Sequence, residues 1–153
     1  MINISKKKKF IRIFFLIIFL YSSNLSARAE DIVALYKYLH ANPELSWQED
    51  QTSELLSGKL ESYGFNVTRG VGKKGVVAIY RNGKGPSLMI RADMDGLPVE
   101  EKTNLPYSSK IKSVNRFGVE VPVMHACGHD IHMAVLIGTA DELISRKKEW
   151  SGT

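Results

Sequence analysis

Met124-His125-Ala126-Cys127-Gly128-His129-Asp130-Ile131-His132 is the stretch on which the reading of this chain turns. Between 125 and 132 it holds three of the chain's four histidines, its one cysteine and an aspartate. Imidazole and thiolate are good ligands for zinc and similar borderline metals. In an extended segment residues two apart share a face, so His125, Cys127 and His129 are expected to point the same way. In a helix, Cys127 and His129 would diverge by about 200°. The cluster therefore belongs on an extended loop feeding a helix from about Asp130 to Lys147, with Val135, Leu136, Ala140, Leu143 and Ile144 as its buried stripe. Asp130 can cap that helix or hold an imidazole nitrogen. The competing reading makes Cys127 a small buried residue and the histidines polar groups at a helix start; the density of the cluster favours metal. A c-type haem site is excluded by the missing Cys-x-x-Cys-His, and a closed structural zinc site by the missing second cysteine.

Upstream lies Arg91-Ala92-Asp93-Met94-Asp95-Gly96-Leu97-Pro98, placed where the apolar run Leu88-Met89-Ile90 gives way to a loop. In open α/β sheets, sites form beyond the carboxyl ends of strands. Asp93 and Asp95 could ligate a metal, orient a ligating histidine, or fix the loop with Arg91 as ion-pair partner. Further back, Phe65–Val71, Gly75–Tyr80 and Ser87–Arg91 read as short strands, and Asn82-Gly83 as a hairpin turn that implies at least one antiparallel pair. Val119–Met124 is a further strand, kept off a sheet centre by Pro122. Helices are expected over Asp31–His40, ended by Asn42-Pro43, and from near Gln48 to Tyr63, ended by Gly64. Ile32, Leu35, Tyr36 and Leu39 line the first, and Leu55, Leu56 and Leu60 the second. Helices, then strands, then a helix predict an α/β layered domain with a mixed sheet.

The first 29 residues stand apart. Lys6 to Lys9 and Arg12 precede the apolar run Ile13–Tyr21, and Ala27-Arg28-Ala29 supplies small residues where a signal peptidase reads. This is the pattern of a secretory signal peptide cleaved after Ala29, leaving a domain over 30–153. The apolar run is shorter than the roughly 20 residues of a spanning helix, so no stable membrane span is expected after cleavage. The leader holds six of the 21 Lys and Arg and none of the 16 Asp and Glu, so the remainder carries 15 positive against 16 negative charges, a net of −1. The basic balance belongs to the leader, and no basic stripe with interleaved aromatics suggests nucleic acid. Export to the periplasm or medium leaves the lone Cys127 buried and inert, paired between chains, or on a metal.

The run His125 to His132 resembles the signature of the amidohydrolase family that includes hippurate hydrolase, N-acyl-amino-acid amidohydrolases and auxin-conjugate hydrolases. Arg91 to Pro98 resembles the same family's second motif, and Leu39-His40-Ala41-Asn42-Pro43-Glu44-Leu45-Ser46 its first. The three stand in family order. The resemblance implies a zinc-peptidase-like α/β/α catalytic domain with a smaller lid or dimerisation domain inserted later, so that homo-oligomers are possible. It implies a hydrolase of linear amides that acts on small-molecule N-acyl amino acids with two divalent metal ions, whether zinc, manganese, nickel or cobalt. Cys127 and His129 match positions that bind the metal pair, and Asp95 matches an aspartate that supports a metal ligand. His40, His125 and Asp130 match motif positions assigned to support or packing.

The family's general base comes from a Glu-Glu pair beyond the Cys-Gly-His-Asp run, and the sequence here reaches Trp150-Ser151-Gly152-Thr153 without it. The expectation is an N-terminal portion of the catalytic domain, inactive alone. Two alternatives accompany it: a metallo-exopeptidase or dipeptidase of the same superfamily, or a vestigial, non-catalytic exported metal-binding module.

Overall fold

The computed structural model describes residues 28–153. Helix α1 spans 28–41, followed by α2 (Asp50–Ser62), β1 (Asn66–Val71), β2 (Gly75–Ile79), β3 (Lys112–Val114), β4 (Glu120–Pro122) and α3 (His129–Ser145). Residues 1–27 of the expected leader lie outside the described residues; Arg28 and Ala29 sit in the first turn of α1, where Arg28 Nε pairs with Asp141 at 3.3 Å. No helix among the described residues is long and apolar enough to cross a membrane.

One core holds the three helices together. Leu35 and Leu39 of α1, Leu56 and Leu60 of α2, and Met133, Ile137 and Ala140 of α3 pack as one cluster. The spacing of four in each helix stacks these side chains on a single face. Val67, Val76 and Ala78 of the β1–β2 hairpin close over it, joined by Ala92 and Met94. The stripe of α3 differs from the expected one: Met133, Ala134, Ile137 and Ala140 are buried, while Val135 faces solvent. The helix is apolar nearly all round, so the periodicity leaves its phase open and packing on α1 and α2 selects it.

Helix ends follow local chemistry. At the end of α2, Gly64 takes φ +86, its N–H reaches Glu61 O (2.9 Å), and Phe65 N reaches Leu60 O (3.1 Å). That pair of bonds closes a Schellman motif, which favours glycine at the left-handed position. The start of α2 is capped from a distance, since Glu44 Oε1 and Oε2 accept from Gln51 N (3.1 Å) and Thr52 N (2.8 Å).

β1 and β2 pair antiparallel with a bulge between Arg69 and Val71, and β3 and β4 pair antiparallel as a second ribbon. The first hairpin turns at Gly72-Lys73-Lys74, not at Asn82-Gly83. Asn82 instead anchors the segment after α3. Its backbone exchanges hydrogen bonds with Gly152 (2.8 and 3.2 Å), and its Nδ2 donates to Lys147 O and Trp150 O, each at 2.7 Å. Ser87–Arg91 forms no strand: its backbone contact is Leu88 N to Thr153 O (3.0 Å), and Leu88 and Met89 are 78% and 85% exposed. A strand needs a neighbour to share its ladder, and among the described residues Leu88 alone in this run has such a backbone bond. Parallel pairing occurs as the isolated Leu45–Gly96 bridge.

Candidate metal centre

Backbone pairing draws three separated segments to one place. Leu45 bridges Gly96, whose N–H donates to Glu44 O (2.6 Å). Leu97 and Met124 exchange both backbone hydrogen bonds, at 2.8 and 3.0 Å. Gly96 makes this approach possible, because a Cβ there would lie 2.9 Å from Val123 Cγ1 and 3.0 Å from Pro43 Cβ. The 39–46, 91–98 and 125–132 stretches thus meet around the N-terminus of α3.

The loop entering α3 is a tight turn, which corrects the expectation that His125, Cys127 and His129 share a face. Gly128 takes φ +75 and its N–H returns to His125 O (3.0 Å). That left-handed residue breaks the alternation of an extended strand. His125 is buried, Cys127 is exposed and His129 is half-buried. Exposure also rules out the inert, buried thiol considered from the sequence. Neither ring nitrogen of His125 has a hydrogen-bond partner among the described residues. Burial pulls its pKa below the ordinary value despite the nearby Asp130 charge, so the ring is held neutral.

His129 is oriented on both sides. Its Nδ1 lies 2.9 Å from Asp95 O and 3.0 Å from Asp95 Oδ1. An Nδ1–H donated there leaves the Nε2 lone pair free, which is how metal-binding imidazoles are commonly fixed. Nε2 faces Asp93 Oδ2 at 4.0 Å. Donor atoms of Asp93, His129 and His132 all lie within 4.8 Å of one another. Cys127 stands outside that group. The residues present therefore fit a divalent cation: two imidazoles and a carboxylate converge, and one imidazole is already held by a carboxylate behind it. Of the residues singled out from sequence, Asp95 and His129 meet directly. Asp93 and His132 join them, and His132 had a legible signal in its spacing of three from His129 on α3.

Behind this cluster is a second, buried constellation that sequence reading left incomplete. His40 Nδ1 lies 2.6 Å from Asp130 Oδ2, and His40 Nε2 lies 3.0 Å from Glu101 Oε1. Glu101 also accepts from Ser109 N (2.5 Å) and from the Thr103 hydroxyl, and Asp130 Oδ1 accepts from Ile131 N (2.9 Å). Both ring nitrogens face acceptors, which suits the imidazolium. Burial disfavours that charge, but the hydrogen bonds to Glu101 and Asp130 outweigh it and raise the pKa of His40. Glu101 is lowered: burial opposes this, and hydrogen bonds from Thr103, His40 and Ser109 prevail. Glu101 sits in a polar stretch with no periodicity, and nothing in the sequence marked it. Glu49 is a second unmarked acid, buried with Oε2 unpartnered among the described residues and its pKa raised by burial.

Residues 89–153 match the model of peptidase family M20/M25/M40. That segment is a portion of an M20/M25/M40 peptidase-family domain. A hippurate hydrolase of Campylobacter jejuni is 42% identical over 109 residues, covering 71% of this chain and 26% of that protein. Thermostable carboxypeptidase 2 of Saccharolobus solfataricus is 42% identical over 123 residues, covering 79% of this chain and 29% of that protein. The crystal structure of YXEP from Bacillus subtilis, described as a dinuclear metal binding peptidase of the M20 family, superposes with a TM-score of 0.71 at 39% identity. That likeness covers 83% of this chain and 34% of YXEP, and it makes the fold an M20-type α/β domain in part. The chain spans about a quarter to a third of the length of these curated relatives.

Proposed function

We propose that these residues are part of a metal-dependent hydrolase that cleaves the amide bond of N-acyl amino acids. The observation that carries the reading is His129, with Nδ1 pinned by Asp95 and Nε2 presented to Asp93. The likeness to a hippurate hydrolase supports the substrate class, and the likeness to YXEP supports a pair of divalent ions. His129 and Cys127 are the donors that the family resemblance assigns to that pair. The chemistry a divalent pair supplies when bound is polarisation of the amide carbonyl and activation of water. Asp95 acts through His129, holding the tautomer and raising its basicity. Glu44 and Gly96 keep the loops in register behind it, and the His40 network fixes the first turn of α3. The described residues bring too few donors together for two closed ions, so activity is assigned to a protein that supplies further ligands and a general base. Export, with cleavage after Ala29, belongs to the same proposal and rests on the leader pattern.

A second reading, a metallo-exopeptidase, is favoured by the likeness to a carboxypeptidase. The test is expression of the complete reading frame containing these residues, assayed on N-acyl amino acids and on dipeptides. Hydrolysis of acyl amino acids, abolished by chelator and restored by zinc, manganese, nickel or cobalt, is expected. Preference for dipeptides selects the second reading, and chelator-insensitive turnover or none at all overturns both.

A further inference from the structure

Asn82-Gly83 carries turn chemistry that the fold does not use for a hairpin. The pair has a second chemistry. Glycine has no Cβ to obstruct its nitrogen, so an asparagine just before it is well suited to cyclise onto the main chain. We propose that Asn82 is a site of spontaneous deamidation, gated by the docked segment 147–153, and that its conversion releases that segment.

In the reaction, the Gly83 nitrogen attacks Asn82 Cγ. The new N–C bond closes a succinimide ring, the Cγ–Nδ2 bond breaks, and ammonia departs with the proton that Gly83 N loses. Water then opens the ring at either carbonyl and leaves aspartate or isoaspartate. Water is the only co-reactant.

The nucleophile is available. Gly83 is exposed, and among the described residues its N–H makes no backbone hydrogen bond. The electrophile is restrained. Asn82 Nδ2 donates to Lys147 O and Trp150 O, each at 2.7 Å, and the Asn82 backbone exchanges hydrogen bonds with Gly152 at 2.8 and 3.2 Å. Cyclisation turns the side chain and the Asn82 carbonyl together, so both side-chain bonds and the bond from Gly152 N–H must open first. Three hydrogen bonds of ordinary net strength hold back that arrangement by about tenfold or more. The segment they hold is pinned in its turn: Trp150 Nε1 donates to Leu143 O (2.9 Å), and its ring lies 6.0 Å from that of Tyr80.

The product does not fit the place that Asn82 occupies. The amide supplies two N–H donors to two carbonyls, whereas an ionised aspartate only accepts. A carboxylate there faces the Lys147 and Trp150 oxygens with no proton between them. Isoaspartate adds a methylene to the main chain beside a contact with no spare room. A Cβ on Gly152 would lie 2.3 Å from Pro86 O, and one on Gly85 2.6 Å from Ser151 O. The same pairing continues through Thr153 N to Pro86 O and Leu88 N to Thr153 O, each at 3.0 Å, so loss at Asn82 loosens 151–153 as a unit. The change is one-way, because ammonia is lost.

The experiment is incubation of the full chain in mildly alkaline buffer, with peptide mapping by mass spectrometry and isoaspartate assigned by electron-transfer fragmentation. The same chain unfolded in urea gives the ungated rate. Conversion at Asn82 is expected in the folded chain, about tenfold or more below the rate in urea. Trp150→Ala, which undocks the segment and keeps both acceptor carbonyls, should recover most of that difference. Asn82→Asp stands for one product, and amide exchange at Gly152 and Thr153 should quicken in it by about tenfold or more. Equal rates in the folded and urea samples overturn the gating, as does a Trp150→Ala rate equal to that of wild type. Conversion confined to the urea sample overturns the site. Unchanged exchange at Gly152 and Thr153 overturns the release; it is read in converted wild type as well, which keeps the test decisive should Asn82→Asp fail to fold. Each of these outcomes leaves the hydrolase reading to be decided by turnover of the complete protein.

Discussion

Replacing His40 with alanine should be among the most damaging single substitutions in this chain. The imidazole joins Asp130 and Glu101 at 2.6 and 3.0 Å, and side-chain exposure at the three residues is 8%, 2% and 0%. Removing it strands two carboxylates in a water-poor site. Breaking a buried ion pair by deleting one partner typically costs about 3–5 kcal/mol. Two charge-assisted hydrogen bonds at about 1.5–3 kcal/mol each give the same range. Against a domain stability of about 5–15 kcal/mol, that is a large fraction. Urea unfolding followed by circular dichroism should show it as a lowered midpoint with an unchanged slope. The pH dependence adds a signature that a simple cavity lacks. A histidine whose folded pKa is raised stabilises fully below its unfolded value, about 6.5, and loses that contribution as pH rises through the folded pKa. Glu101, lowered in the fold, stabilises above about 4.5 and loses its contribution as pH falls through its folded pKa. The gap between wild type and His40→Ala should therefore be widest near pH 5–6, between those two ordinary values, and narrow on both sides. A cost under about 1 kcal/mol, typical of an exposed pair, or a gap that does not vary with pH, would refute the reasoning.

Other substitutions test the remaining links. Ile137→Ala, at a fully buried position where all three helices meet, should cost about 2–5 kcal/mol in urea unfolding. Gly96→Ala places a Cβ 2.9 Å from Val123 Cγ1 and should cost about 1–3 kcal/mol, with looser packing where the three loops join, visible as faster amide exchange at Leu97 and Met124. Asp95→Asn leaves the fold intact but weakens the hold on His129 Nδ1, and zinc affinity measured by calorimetry should fall by about 10–100-fold.

The elements near strong local signals were legible in the sequence. Asn42-Pro43 and Gly64 end helices where backbone sterics require it, and β1, β2 and β4 lie within the runs of β-branched residues. What failed depended on partners elsewhere in the chain. Ser87–Arg91 has the composition of a strand but, among the described residues, no neighbour along most of its length, so composition alone could not make it one. Asn82-Gly83 has turn chemistry, yet the Asn82 side chain is engaged by the carbonyls of Lys147 and Trp150. At the site, the cluster around Cys127 was conspicuous, but its geometry was misjudged because Gly128 turns left-handed and rotates Cys127 away from His125. Asp93 and Asp95 were both marked by the one motif that carries them. Glu101 and Glu49 were invisible, because burial of an acid is decided by tertiary packing rather than by its flanking residues.

The most direct measurement is turnover of an N-acyl amino acid by the complete protein containing these residues, with wild type and His129→Ala compared before and after chelation. The account predicts wild-type hydrolysis that disappears with chelator and returns with a divalent metal, and no turnover from His129→Ala under either condition. Hydrolysis that survives chelation, or that persists in His129→Ala, would contradict it.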